Sequence, residues 1–158
     1  MVCNRVNSMK DYQRLIFVCT GNTCRSPMAQ RIYQQLDDMK TIEVISRGLV
    51  VLFPEPANPK ACTVMQNHDM DLVDHQSIAL TENDIIDKTL ILTMTNKQKE
   101  IVLEKFPLST QVATLTEYVG QEGEVTDPYG GSLVDYEDCY LELSRLVKKL
   151  IYVMNEED

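Results

Sequence analysis

The chain has 158 residues, 44% of them apolar and 25% charged, with a formal net charge of -9. That length suits one domain with a sizeable core, and the acidic balance argues against wrapping nucleic acid or lying on an anionic membrane. No apolar run approaches the ~18 residues that span a bilayer. The opening stretch MVCNRVNSMKDYQR lacks an apolar signal core. It reads as a tail over residues 1–14, with Met9 an alternative start, before a single domain over 15–156. The five cysteines, Cys3, Cys19, Cys24, Cys62 and Cys139, are an odd number, and a chain of this size needs no disulfide framework, so a cytoplasmic protein is expected. Neither His68 nor His75 lies near a cysteine pair, and Cys19 and Cys24 have four residues between them, which disfavours a zinc site.

LIFVC, residues 15–19, is a continuous apolar run that suits a strand buried on both faces. SPMAQRIYQQLDDMK then predicts a helix, with Ser26 as N-cap, Pro27 in its first turn, and Met28, Ile32, Leu36 and Met39 along one face. IEVIS (42–46) predicts a second strand that ends at Gly48, and LVVLFPEPANP (49–59) a loop. KACTVMQNH (60–68) predicts a helix with Ala61, Cys62 and Met65 on one face, and Thr81 caps a short helix in LTENDI. TLILTMT (89–95) is a third strand, followed by a helix that Asn96 caps and Pro107 ends; TQVATL (110–115) is a fourth strand. GQEGEVTDPYGGS (120–132) is a polar loop. Ser132 and Asp135 form a capping box for a last helix whose stripe is Tyr136, Cys139, Leu143, Leu146, Leu150 and Val153. Strands alternating with helices predict an α/β fold, a three-layer sandwich with a parallel sheet. Ligands bind such sheets outside the carboxyl ends of the strands, where Cys19 sits.

A loop from strand to helix N-terminus can curl its successive N–H groups around one centre and so cradle an anion. Thr20, Gly21, Asn22, Thr23, Cys24, Arg25 and Ser26 make up that loop. Gly21 permits close backbone approach, Asn22 tolerates a left-handed conformation, and Arg25 adds forked donors for a phosphate-like group. At the base of the cradle, the helix dipole, the amides and Arg25 all favour the thiolate of Cys19, to which Ser26 can donate. A thiolate beneath a phosphoryl group is a nucleophile aimed at phosphorus. A carboxyl group that first protonates the leaving group and then activates water completes the chemistry, and Asp127, stiffened by Pro128, is the candidate. Taken singly, Cys19 reads also as a core thiol and Asp127 as an ordinary turn residue; the combination in register carries the inference.

VCTGNTCRSPMAQ followed far downstream by DPYGG resembles the low-molecular-weight protein tyrosine phosphatase family, over nearly the whole chain from Leu15 to the last helix. The resemblance implies a four-stranded parallel sheet flanked by helices and a phosphocysteine intermediate on Cys19. It also implies phosphate held by the loop amides and Arg25, Asp127 as acid and then base, and no metal or organic cofactor. It further implies that Asn22 is held by Ser46 and His75, against the alternative that His75 is an exposed loop residue. Arg47 departs from the family's usual alanine before the glycine. It either adds positive charge near the site or points to solvent.

Thr23, the segment MTNKQK and the single aromatic of DPYGGS resemble the protein-arginine phosphatase branch of that family. Phosphotyrosine suits apolar walls, whereas a guanidinium needs acceptors, which Thr23 and Asp127 can supply, and a plane such as Tyr129 to stack on. Residues Leu49 to Phe53 are a candidate opposite wall. The first expectation is therefore a phosphoarginine phosphatase acting on phosphorylated proteins as a monomer. The alternatives are a tyrosine phosphatase, with Thr23 neutral to specificity, an arsenate reductase, and a silent phosphoprotein-binding module. Arsenate reduction needs cysteines just beyond the third strand, and TMTNKQKEIVLEKF has none. Cys24 is either a redox partner of Cys19 that guards it from irreversible oxidation or a small packing thiol. Cys62 and Cys139 read as core, and His68 as a surface helix residue.

Overall fold

The computed structural model describes residues 12–38, 40–107 and 111–156. Cys3 and Met9, the expected helix position Met39 and the first residue of the expected fourth strand lie outside them. A parallel sheet in the order β2-β1-β3-β4 forms from β1 (Arg14–Cys19), β2 (Glu43–Gly48), β3 (Thr89–Thr93) and β4 (Val112–Thr114). The helices are α1 (Arg25–Leu36), α2 (Pro59–Asn67), α3 (Asn96–Lys105), α4 (Leu115–Tyr118) and α5 (Leu133–Asn155), with one 3-10 turn at Glu82–Asp84 capped by Thr81.

The run LIFVC is apolar throughout because β1 is the inner strand and both its faces are covered. Leu15, Phe17 and Cys19 join the larger core with α1, α2 and α5, while Ile16 and Val18 join a smaller one with Ile91 and Val102 of α3. The α5 stripe from Tyr136 to Leu150 is buried, and Val153 is half-buried near the helix end. The chain leaves β1 toward β2 on one side and returns through β3 on the other. The carboxyl end of β1 is therefore the switch point of the sheet, where an open parallel sheet leaves a crevice. Among the described residues, no helix is long and apolar enough to cross a membrane.

Several boundaries differ from expectation. Ser26 is not the N-cap of α1: the helix begins at Arg25 after Cys24, and the Ser26 hydroxyl is engaged elsewhere in the loop. The helix stops at Leu36, because Asp37 turns extended while its N–H still closes on the Tyr33 carbonyl. The cap of α3 is Thr95 rather than Asn96, since Thr95 and Gln98 together close a capping box. Helix α4 was not anticipated. At four residues it carries no periodicity, and it is set by the box between Thr114 and Glu117.

Candidate active site

The loop between β1 and α1 is held from three directions. Asn22 takes φ +58°, the left-handed turn that asparagine tolerates, and is fully buried. Its Nδ2 donates to Ser26 Oγ at 2.8 Å and to Ser46 Oγ at 3.0 Å, while its Oδ1 accepts from the Ile78 N–H at 2.9 Å. His75 Nε2 donates to the Asn22 carbonyl at 2.6 Å. Burial lowers the His75 pKa, the Asn22 hydrogen bond opposes this, and the charge of Arg47 adds to the lowering. His75 is thus a neutral donor bracing the loop and is not an exposed loop residue. On the second side, the Thr20 carbonyl accepts from Leu49 N–H and Val50 N–H, each at 2.9 Å. Gly48 permits this contact: a Cβ there would stand 2.7 Å from Val51 Cγ2 and 2.9 Å from Asn22 Cβ. On the third, the Asn58 N–H donates to the Thr23 carbonyl at 2.8 Å, and Gln98 Nε2 donates to Thr20 Oγ1 at 3.0 Å.

Inside this frame Cys19, only 3% exposed, lies with its Sγ 2.9 Å from Ser26 Oγ. Asn22 Nδ2 can only donate to that oxygen, so the Ser26 hydrogen remains available for sulfur. Arg25 is buried and clamped: Nη1 donates to the Val125 carbonyl at 3.0 Å, and Nη2 stands 3.6 Å from Asp127 Oδ2. Asp127 Oδ1 accepts from the Tyr129 N–H at 3.0 Å, which leaves Oδ2 facing the arginine. The Asp127 side chain is 54% exposed and Tyr129 79%, so this wall opens to solvent. A cavity of about 520 Å³ lined by Asp127, Tyr129 and Cys139 runs beside it. A Cβ on Gly21 would meet protein only at Thr23 Oγ1, 3.8 Å away. Protein packing therefore does not demand glycine at position 21. Helix α1 has no side-chain cap, so its first-turn N–H groups are available to an anion at this loop.

Every described residue expected at the site, from Cys19 through Ser26 with Ser46, His75, Asp127 and Tyr129, lies in or around this loop. Five partners were missed. Val125 contributes a carbonyl, and Ile78 and Asn58 each an N–H, backbone atoms that no residue type announces. Gln98 was legible only as half of a Thr-x-x-Gln capping box. Cys139, expected simply as core, also acts on the Cys24 thiol. Interaction with the Cys139 thiol, with burial second and nearby charges after it, pushes the Cys24 pKa up and keeps it a thiol.

Arg47 neither enters the site nor points to solvent: its Nε pairs with Asp84 Oδ2 at 3.2 Å and its Nη1 donates to the Ser46 carbonyl at 2.8 Å. His68 is not a free surface residue either. Its Nε2 lies 2.9 Å from Glu137 Oε2 and its ring stacks on Tyr140 at 3.9 Å, tying α2 to α5. Among the described residues, no three His, Cys, Asp or Glu side chains are grouped as metal ligands.

Comparison with known proteins agrees with this geometry. The family model for low molecular weight phosphotyrosine protein phosphatase matches residues 14–158. The chain is 35% identical over 137 residues to the low molecular weight protein-tyrosine-phosphatase PtpB of Staphylococcus epidermidis, covering 87% of this chain and 96% of that protein. It is 38% identical over 141 residues to the protein-arginine-phosphatase of Bacillus subtilis, covering 86% and 93%. A solved structure of the YwlE arginine phosphatase, a cysteine-to-serine mutant with a phosphorylated active-site serine, superposes with TM-score 0.85 at 35% identity over 90% of this chain and 96% of that one. With a four-stranded parallel sheet, this loop at its switch point and matches across nearly its whole length, the chain belongs to the low-molecular-weight phosphotyrosine protein phosphatase family and is a cysteine-based phosphatase.

Proposed function

We propose that the protein removes phosphoryl groups from phosphoarginine in proteins, with Cys19 as nucleophile and Asp127 as acid and base. The loop amides and Arg25 bind three phosphoryl oxygens, and the Cys19 thiolate, receiving a hydrogen bond from Ser26, attacks phosphorus. As the P–N bond breaks, Asp127 delivers a proton from Oδ2 to the leaving guanidinium nitrogen, which departs as arginine. Water then loses a proton to Asp127 and attacks the phosphocysteine, the P–S bond breaks, and phosphate leaves with Cys19 restored as thiolate. The covalent step is supported by the phosphorylated active-site serine of the related YwlE mutant.

The observation that carries the substrate choice is Thr23. It places a hydroxyl in the middle of the phosphate loop, where a polar guanidinium finds an acceptor and an aromatic ring gains nothing. Thr20 adds a second hydroxyl, and Tyr129 offers an exposed ring beside Asp127 for stacking on a guanidinium plane. The segment carrying exposed Leu52 and Phe53 is docked to the loop through Leu49 and Val50, which supports it as the opposite wall. Similarity to PtpB, named a tyrosine phosphatase, favours phosphotyrosine as the second reading.

Phosphoarginine and phosphotyrosine peptides assayed side by side decide between the two. A higher kcat/KM on phosphoarginine is expected, and a preference for phosphotyrosine refutes the first reading. Thr23→Ile is expected to move the ratio about tenfold toward phosphotyrosine, the worth of one hydrogen bond to a charged group. An unchanged ratio means Thr23 is not the filter.

A further inference from the structure

Gln98 is a polar side chain only 4% exposed, and a buried carboxamide is tolerated only when its donors and acceptors are met. Its Oε1 accepts from the Met94 N–H at 2.9 Å and the Thr95 N–H at 3.1 Å. Two donors on one end of the amide identify that end as oxygen. The NH2 end must then face Thr20, whose Oγ1 it meets at 3.0 Å. Capping α3 does not require this third bond. A glutamate would close the box with Thr95 equally well but has no hydrogen to give Thr20.

The third bond completes a circuit around the site. Thr20 Oγ1 is joined to Gln98, and Gln98 to the Met94 N–H. The Met94 carbonyl accepts from the Val125 N–H at 3.1 Å. The Val125 carbonyl accepts from Arg25 Nη1 at 3.0 Å, and Arg25 Nη2 faces Asp127 Oδ2 at 3.6 Å. A parallel tie runs from the Asn96 N–H to Glu124 Oε2 at 2.7 Å. The N-terminus of α3 therefore grips both the residue that follows Cys19 and the loop that carries Asp127. Asp127 is itself half exposed, held by the Tyr129 N–H and faced by Arg25.

We propose that Gln98 is a positioning residue: by bonding Thr20 it sets the Asp127 loop against the phosphate loop, and so governs proton delivery to the leaving group. The proposal rests on Asp127 being the general acid, and its test separates the two ideas. Phenolate is a poorer leaving group than p-nitrophenolate and depends more on an acid in the transition state. A mispositioned Asp127 therefore slows phenyl phosphate more than p-nitrophenyl phosphate, whereas general damage slows both alike.

The experiment measures kcat/KM on both esters for the wild type, Asp127→Asn, Thr20→Val, Thr20→Ser, Gln98→Ala and the double variant Thr20→Val/Gln98→Ala. That constant covers attack and leaving-group departure and not hydrolysis of the phosphocysteine common to both. Asp127→Asn is the reference: an equal loss on both esters refutes Asp127 as the acid, whatever Gln98 does, and removes the ground for this proposal with it. Thr20→Val and Gln98→Ala are each expected to lose about tenfold more on phenyl phosphate than on p-nitrophenyl phosphate, as a small misplacement of a reacting group does. Thr20→Ser, which keeps the hydroxyl that Gln98 bonds, should keep the wild-type ratio between the two esters, whatever its absolute rate. The double variant should be no worse than Gln98→Ala, because both changes cut one bond. Thr20→Val leaves the α3 cap intact and decides the matter if Gln98→Ala does not fold. Equal losses on both esters in Thr20→Val while Asp127→Asn discriminates, a Thr20→Ser that behaves like valine, or additive losses would each overturn the role of Gln98.

Discussion

Helices α1 and α5 begin in opposite ways. At α5 the Ser132 side chain accepts from the Asp135 N–H, and the Asp135 carboxylate accepts from the Ser132 N–H at 2.9 Å, so the chain closes the helix end with its own atoms. Helices α2, α3 and α4 are capped likewise by Asn58, Thr95 and Thr114. At α1 the N-cap is Cys24, which makes no such bond. The hydroxyl nearest the helix start, Ser26, is turned back to Cys19 and Asn22. A first turn without a side-chain cap keeps its N–H groups open to an anion. The difference separates a helix end built for stability from one left open for a phosphoryl group, with Arg25 clamped so that it reinforces the open end.

Four changes bear on that contrast, in order of expected effect. Arg25→Lys keeps a charge at the open end of α1 but loses the fork that reaches both Val125 and the phosphoryl group. A fall in kcat of about 100-fold or more is expected, in line with the loss of one oriented donor to a developing anion, with little change in melting temperature. A fall in melting temperature comparable to the loss of activity would make Arg25 chiefly structural. Gly48→Ala forces a Cβ to within 3 Å of Val51 and Asn22. It should lower stability by about 1–3 kcal/mol and weaken competitive inhibition by inorganic phosphate, because the loop it displaces is the anion cradle. Unchanged phosphate inhibition would show that the cradle tolerates movement of β2.

Ser132→Ala opens the closed end. It should destabilise by about 1 kcal/mol in chemical denaturation and leave kcat/KM alone, whereas a loss of activity without loss of stability would break the contrast. The smallest effect is that of pH on His75. Its folded pKa is lowered, chiefly by burial, so the unfolded chain binds a proton that the native one lacks as pH falls through about 6.5. The stabilising contribution is complete above that pH and is lost as pH drops toward the folded value. Melting temperature should decline more steeply over that range in the wild type than in His75→Gln, which keeps a donor for the Asn22 carbonyl but does not titrate.

The misread boundaries follow from the same competition for hydroxyls and turns. Ser26 has the residue type of a cap, but Cys19 and Asn22 claim its oxygen, and those partners are fixed only once β1 and the loop have folded. Asn96 and Thr95 are both good caps. The choice went to the one whose third successor, Gln98, can return a bond. Arg47 next to the loop suggested either added charge in the site or a side chain in solvent, yet Asp84, far along the chain, draws it away from both. His68 finds Glu137 and Tyr140 by the same long-range route.

What the sequence by itself determined is what depends on near neighbours. That includes the two-faced burial of β1, the left-handed turn at Asn22, the placing of Cys19, Arg25 and Ser26 at one strand–helix junction, and the box that starts α5. These are set by side-chain period, by backbone preference and by separations of a few residues. Only the tertiary structure decided which atoms converge on that junction from afar. Asp127 Oδ2 meets Arg25 because Val125 hydrogen-bonds Met94 at the end of β3. Thr20 is held because Gln98 lies one strand over. Gly48 must lack a side chain because the loop crosses it. Such contacts join residues distant in the chain, several of them through backbone atoms common to every residue, and no local pattern carries them.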